Sequence, residues 1–156
     1  VLTDAPVEFR RGEFVVHTDR ARLDLDAVLA LLGTTHWAAV VSRPVLERAV
    51  ANSVCFVLTD EHETRLIGFA RAVSDLATYA YLTDVVVAEE YRNRGLGAWL
   101  LDCILAHPQL QGLRRMALLT RDAIGFYTRA GFSTELGDRN YLERRPDTAD
   151  RADAAP

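Results

Sequence analysis

The chain predicts an α/β domain, a mixed β-sheet flanked by helices, on three observations. Two strand-like apolar runs face each other across the polar turn Asp60-Glu61-His62-Glu63, which is how an antiparallel hairpin reads. From residue 79 onward, strand-like and helix-length segments alternate, which calls for helical crossovers on the same sheet. The 156 residues are 49% apolar and 26% charged, enough for one domain to build its core without disulfides.

Residues 13–18 (Glu-Phe-Val-Val-His-Thr) predict a first strand. Leu25, Val28, Leu29 and Leu32 recur at helical spacing, so a helix spans 24–32 and ends at Gly33. Residues 34–37 read as a loop, and a second short helix starts after Ser42, with Pro44 in its first turn, and runs to about Ala51. The hairpin strands are 54–59 and 66–73, and a third strand, 79–88, ends in Val85-Val86-Val87. After Gly95 and Gly97 a helix runs to His107 and stops before Pro108. Apolar residues cover most of its circumference, so it should be deeply packed. A strand at 116–120, a helix at 122–130 stopped by Gly131, and one or two strands within 132–142 complete the domain. Residues 1–143 form that domain; the polar, Pro- and Asp-containing tail 144–156 is expected to be disordered.

Eighteen basic against 22 acidic residues give a net charge of −4, which argues against a nucleic-acid binder working through a general basic field. All the basic residues are Arg, read here as the codon bias of a GC-rich bacterial genome. No apolar run approaches the roughly 20 residues of a membrane span, and there is no signal-peptide pattern. The chain opens on Val1 rather than Met, so residues are expected before it. Cys55 and Cys103 lie in apolar runs and read as small buried hydrophobes, which suits a reducing cytoplasm.

The segment that carries chemistry is Val85-Val86-Val87-Ala88-Glu89-Glu90-Tyr91-Arg92-Asn93-Arg94-Gly95-Leu96-Gly97-Ala98. A strand feeds a turn with two glycines and two arginines, and the turn opens onto a helix. The first N–H groups of that helix have no intrahelical partners, and its dipole is positive at that end. Gly95 and Gly97 permit close backbone approach, while Arg92 and Arg94 add charge: in physical terms, a phosphate cradle. It is not a P-loop, which needs a lysine, nor a dinucleotide fingerprint, whose third glycine is Leu100 here.

Arg92-Asn93-Arg94-Gly95-Leu96-Gly97 closely resembles the R-x-x-G-x-G/A motif of the GNAT superfamily, the acyl-CoA-dependent N-acetyltransferases. Ala123 to Phe132 is similar to that family's A-x-x-x-Y-x-x-x-G-F helix, and Leu66-Ile67-Gly68-Phe69-Ala70-Arg71 to its third strand. The resemblance covers about residues 13–143. It implies a mostly antiparallel sheet whose central strands splay apart, and acetyl-CoA as cosubstrate, with no metal.

Carried over by position, the resemblance implies that the backbone of Val85, Val86 and Val87 pairs with the pantetheine amides. The amides of Arg92, Asn93, Arg94, Gly95, Leu96, Gly97 and Ala98 would hold the pyrophosphate. Tyr127 would protonate the departing thiolate. Thr120 stands where the family often has Asn, and its hydroxyl can replace one amide hydrogen bond but not two.

The reaction is direct attack by an amine. An alkylamine with a pKa of about 10.4 is roughly 99.9% protonated at pH 7, so the site must take a proton, directly or through water. Asp84 is the carboxylate in the strand and is the candidate base, an ordered water being the alternative. Asp84 reads equally well as a structural charge paired with Arg71, and strand alternation turns it away from Thr83 and Val85 unless a bulge intervenes. Tyr81 and Thr83 are candidates for a water relay, and His36 and Trp37 for lining the acceptor pocket. Trp37, Tyr79 and Tyr81 would suit an apolar or aromatic amine.

The expected function is acetyl transfer to a small-molecule amine, with no nucleic-acid or membrane partner. A peptide or protein N-acetyltransferase and a non-catalytic acyl-CoA sensor are the alternatives. Family members are often dimers, so a homodimer is entertained.

Overall fold

A computed structural model describes residues 5–36, 41–63 and 65–144. Six strands form one open sheet in sequential order: β1 (Glu8–Arg11), β2 (Phe14–His17), β3 (Val54–Asp60), β4 (Leu66–Ser74), β5 (Tyr79–Val87) and β6 (Arg115–Ala117). Neighbours are antiparallel except β5 and β6, which run parallel. The described residues form four α-helices, α1 (Leu25–Leu32), α2 (Arg43–Ala51), α3 (Leu96–Ala106) and α4 (Ile124–Arg129).

The local chemistry explains most boundaries. Asp24 caps α1 by accepting from the Asp26 and Ala27 amides. Pro44 sits in the first turn of α2, where its missing N–H costs nothing. His107, in extended conformation ahead of Pro108, ends α3. Gly131, at φ +91°, follows α4, and the Phe132 amide reaches back to the Tyr127 carbonyl.

Both faces of the sheet are covered. Val54, Phe56, Leu58, Ala70, Ala72, Ala80 and Leu82 pack with Leu96, Leu100 and Ile104 of α3. On the other face, Cys55, Val57, Phe69 and Val86 pack with Val28, Leu31 and Leu32 of α1 and Leu46 and Val50 of α2. The two cysteines are buried thiols pushed up to about 12 by desolvation.

β5 breaks its own alternation. Phe69 pairs with Val86 and Arg71 with Thr83, so two steps on β4 oppose three on β5. Asp84 is at φ +56° at this bulge. Before the bulge, Ala80 and Leu82 face α3; after it, Val86 faces α1 and α2, while Val85 and Val87 pack on the α3 side.

Three expectations need correction. The first strand is preceded by another, β1, in which Phe9 alone is apolar and the pairing to β2 supplies the order. The strand expected over 116–120 closes at Ala117, because β6 parts from β5 there. No strand forms within 132–142: this stretch carries Gly137 at φ +67° and is mostly exposed, with no partner strand to order it. Trp37 and tail residues 145–156 lie outside the described residues.

Candidate active site

β5 and β6 pair only at Tyr79–Arg115, Ala80–Met116 and Tyr81–Ala117. Beyond Tyr81 the two strands part, and β5 runs on to Val87 with no strand on that edge among the described residues. The N–H and C=O of Val85 and the N–H of Val87 therefore border a gap rather than a neighbouring strand, while the Val87 carbonyl is met by Arg92.

Val87 leads through a 3-10 turn, Glu89–Tyr91, into the glycine loop. Asn93 at φ +60° and Gly95 at φ +74° bend the backbone sharply before α3 begins at Leu96. Asn is among the few side-chain-bearing residues that adopt such a φ without large strain. Gly95 is the N-cap of α3, and no side chain caps the helix. The amides of Leu96, Gly97 and Ala98 are thus free of intrahelical partners. Gly97 lies 3.8 Å from the Phe126 ring and from Val87 Cγ2, measured from where a Cβ would stand. These are ordinary van der Waals distances, so α4 and β5 pack around the loop at a spacing that a methyl group would fill without strain.

The arginines of the loop are largely committed to the protein. Arg92 Nε donates to the Val87 carbonyl at 3.0 Å. Arg94 lies over the Phe14 ring at 5.3 Å and the Tyr91 ring at 5.4 Å, with Glu13 at 3.6 Å. A third arginine, Arg11 at the end of β1, sends Nη1 towards the Gly95 carbonyl at 3.5 Å. It escaped the sequence reading because β1 itself did.

Asp84 turns to the face that carries α1 and α2. Its Oδ2 accepts from Arg71 Nε at 2.7 Å, and its Oδ1 accepts from Thr83 Oγ1 at 3.2 Å. Arg71 Nη1 donates to Ser53 Oγ at 2.9 Å, and Ser53 in turn donates to the Ala49 carbonyl near the end of α2. The ion pair is largely enclosed, with side chains 15% and 13% exposed. The structure thus contains both the bulge that brings Asp84 to this face and the pairing with Arg71.

Tyr81 and Thr83 share that face by alternation from Ala80 and Leu82. Burial raises the Tyr81 pKa above its ordinary value, although a hydrogen bond from the Leu119 backbone opposes the shift. His36 is exposed at the end of the turn after α1. Thr120 Oγ1 accepts from the Ala123 amide at 3.1 Å and so serves the start of α4. Tyr127 packs on the α3 side, edge-on to Phe126 at 4.9 Å and Phe132 at 5.8 Å, and burial raises its pKa. Tyr127 and Asp84 therefore approach from opposite sides of the sheet. Among the described residues, no cluster of His, Cys, Asp or Glu could hold a metal ion, and no helix is long and apolar enough to cross a membrane.

The chain that carries these diverging strands, uncapped helix and glycine turn has clear relatives. The profile of the acetyltransferase (GNAT) family matches residues 28–132. The chain belongs to that family. A Gibberella zeae protein named as an acetyltransferase is 31% identical, over 88% of this chain and 86% of its own length. A GNAT-family acetyltransferase of Xanthomonas campestris pv. campestris, solved by crystallography, is 41% identical with a TM-score of 0.79. The match covers 85% of this chain and 93% of that one. A Clostridium acetobutylicum acetyltransferase, solved with acetyl-CoA, shares the fold alone, at 13% identity and a TM-score of 0.58 over 79% of this chain and 92% of that one. The protein is thus a GNAT acetyltransferase, built among the described residues on a six-stranded mixed sheet.

Proposed function

We propose that this GNAT protein moves the acetyl group of acetyl-CoA to the amine of a small-molecule acceptor by direct attack in a ternary complex. The observation that carries the reading is the uncapped N-terminus of α3, reached through Gly95 in left-handed conformation, in the loop that follows the stretch of β5 left unpaired by β6. Along the free edge of Val85 to Val87, the N–H and C=O of Val85 and the N–H of Val87 are offered to the pantetheine arm, as one strand offers them to another, while Val86 pairs with Phe69 of β4. The Arg92 amide already donates to the Glu89 carbonyl at 3.1 Å, and the amides from Asn93 to Ala98 can hold an anion at the helix start. Acetyl-CoA supplies the activated acyl group, and the protein supplies position and proton handling.

Each proton has a candidate carrier. Tyr127, its pKa raised by burial, keeps its hydroxyl proton through neutral pH and can donate it towards the departing sulfur. Asp84 retains acceptor capacity beyond its bonds from Arg71 and Thr83, and through a water it can take the proton of an incoming ammonium. An N–H of the Val85–Val87 stretch can polarise the acetyl carbonyl. Thr83 and Tyr81 line the approach to Asp84. The acceptor we favour is an amine with an apolar or aromatic body. Tyr79, Tyr81 and Val73 share one sheet face, Val73 opposite Tyr81, and Tyr79 and Val73 are 40% and 43% exposed.

A thiol-release screen with acetyl-CoA tests this reading. Small primary amines with aromatic or aliphatic bodies should release CoA faster than peptides do. Release with peptides alone would replace the reading by a peptide acetyltransferase. Binding of acetyl-CoA without release from any amine would replace it by an acyl-CoA sensor.

A further inference from the structure

The start of α3 is electrostatically one-sided. A helix N-terminus carries partial positive charge and is normally matched by acidic side chains or a capping oxygen. Here the first turn has no acidic residue and no side-chain cap. Three arginines belong to or touch the turn that leads into it, Arg11, Arg92 and Arg94, and among the described residues the ion pair made by these three is that of Arg94 with Glu13 at 3.6 Å. Local rules broken in this way mark a functional site more often than a defect.

Two of the three cations have other tasks: Arg92 closes the turn onto Val87, and Arg94 stands within cation–π distance of Phe14 and Tyr91. Arg11 differs. It ends β1, and by alternation it shares with Phe9 the face on which α3 packs. That phase aims its guanidinium at the glycine turn. A Cβ placed on Gly95 would have Arg11 Nη2 at 3.8 Å and Nη1 at 3.9 Å as its nearest neighbours. Among the described residues its one hydrogen-bond contact is the 3.5 Å approach to the Gly95 carbonyl, an oxygen already taken by the Trp99 amide at 3.1 Å. The guanidinium is exposed and keeps most of its five donors.

We infer that Arg11 is a phosphate-contacting residue of the cofactor site, delivered by the β1–β2 hairpin to the pyrophosphate held at the start of α3. The inference rests on the acetyl-CoA reading above. It adds a residue from outside the 28–132 segment that carries the family match. A guanidinium suits the task because its planar fork meets two phosphate oxygens at once.

Calorimetry with CoA and with 3′-dephospho-CoA separates the outcomes, using the full chain, Arg11→Gln, Arg11→Lys and Arg10→Gln. Arg10 is the control: it neighbours Arg11, but alternation turns it to the other face, where it pairs with Glu8 at 2.6 Å. Arg11→Gln should weaken both ligands on the order of ten-fold, the effect of one charge-assisted hydrogen bond. Arg11→Lys should lose less, and Arg10→Gln should stay within about two-fold. Equal losses in Arg11→Gln and Arg10→Gln would mean a diffuse field and overturn the inference, as would no loss in Arg11→Gln. A loss confined to CoA would move the contact to the 3′-phosphate and overturn the pyrophosphate assignment. Failure of the unmodified chain to bind either ligand would overturn the cofactor reading itself, and Arg11 with it.

Discussion

The Tyr127 ring is held between the edges of Phe126 and Phe132, and burial is the cause of its raised pKa. A phenylalanine at this position keeps both ring contacts and loses one hydroxyl. Tyr127→Phe should therefore fold with an unchanged thermal midpoint and lose turnover by about ten-fold or more, the lower end of acid–base contributions. Steady-state kinetics with an amine from the thiol-release screen check this, and unchanged turnover would remove Tyr127 from the mechanism. Its candidacy was legible because helical motif and residue type coincide at one position. The surroundings of Asp84 were less so. Its face depends on one backbone angle, φ +56°, and Asp is compatible with such an angle without announcing it. Arg11 was invisible for a different reason, since an exposed arginine in a polar run carries no local signal of what lies across the fold from it.

At the scale of elements, β4 is pressed against β5 where the bulge begins. A Cβ on Gly68 would stand 2.9 Å from the Val86 carbonyl oxygen and 3.1 Å from Leu58 Cδ2. The side chain of Leu58 can give way, but the backbone carbonyl cannot. Gly68→Ala should cost roughly 1–3 kcal/mol, as overpacking does, and should weaken acetyl-CoA binding by displacing Val86. Urea denaturation and calorimetry measure the two effects; an alanine variant as stable and as tight as the parent would contradict the account. Elements with strong periodicity, such as α1, α3 and the β3–β4 hairpin, were legible because most of their apolar residues bury on one side or all round. β1 was not, because an edge strand with one apolar residue draws its order from pairing with β2. The stretch 132–142 misled for the opposite reason. Phe132, Leu136, Tyr141 and Leu142 look like strand residues, yet Leu136, Tyr141 and Leu142 are left exposed.

At the scale of the molecule, the fold class was legible from connectivity: a hairpin demands antiparallel neighbours, and α3 as a crossover demands a parallel pair. What connectivity cannot reveal is how completely each polar group is satisfied. His17 is 1% exposed on β2, and neither ring nitrogen has a hydrogen-bond partner among the described residues. Its pKa lies below the ordinary value, chiefly through desolvation and then through Arg22, against the opposing carboxylates of Glu63, Asp19 and Glu8. Burial lowers that of His107 as well. With folded values depressed, the unfolded chain takes up protons first as pH falls below about 6.5. Stability is thus full above that value and declines as pH drops towards the folded pKa values. His17→Leu should match or exceed the parent near pH 7 and flatten part of the decline, since two unpaired nitrogens are replaced by apolar surface. Urea midpoints at about pH 7.5 and 5.5 bracket that range; equal losses in parent and variant would exclude His17 as a source.

The bulge at Asp84 acts on the whole sheet as a change of phase. Up to Leu82 the even positions of β5 belong to α3; beyond Asp84 the odd ones do. One residue fewer there would exchange the two sides of Val85, Val86 and Val87 together. Val86 would meet α3, while its neighbours would press on α1 and α2. This stretch can therefore vary in residue type far more readily than in residue count, and the unpaired edge beside the glycine turn is kept in place by counting as much as by chemistry.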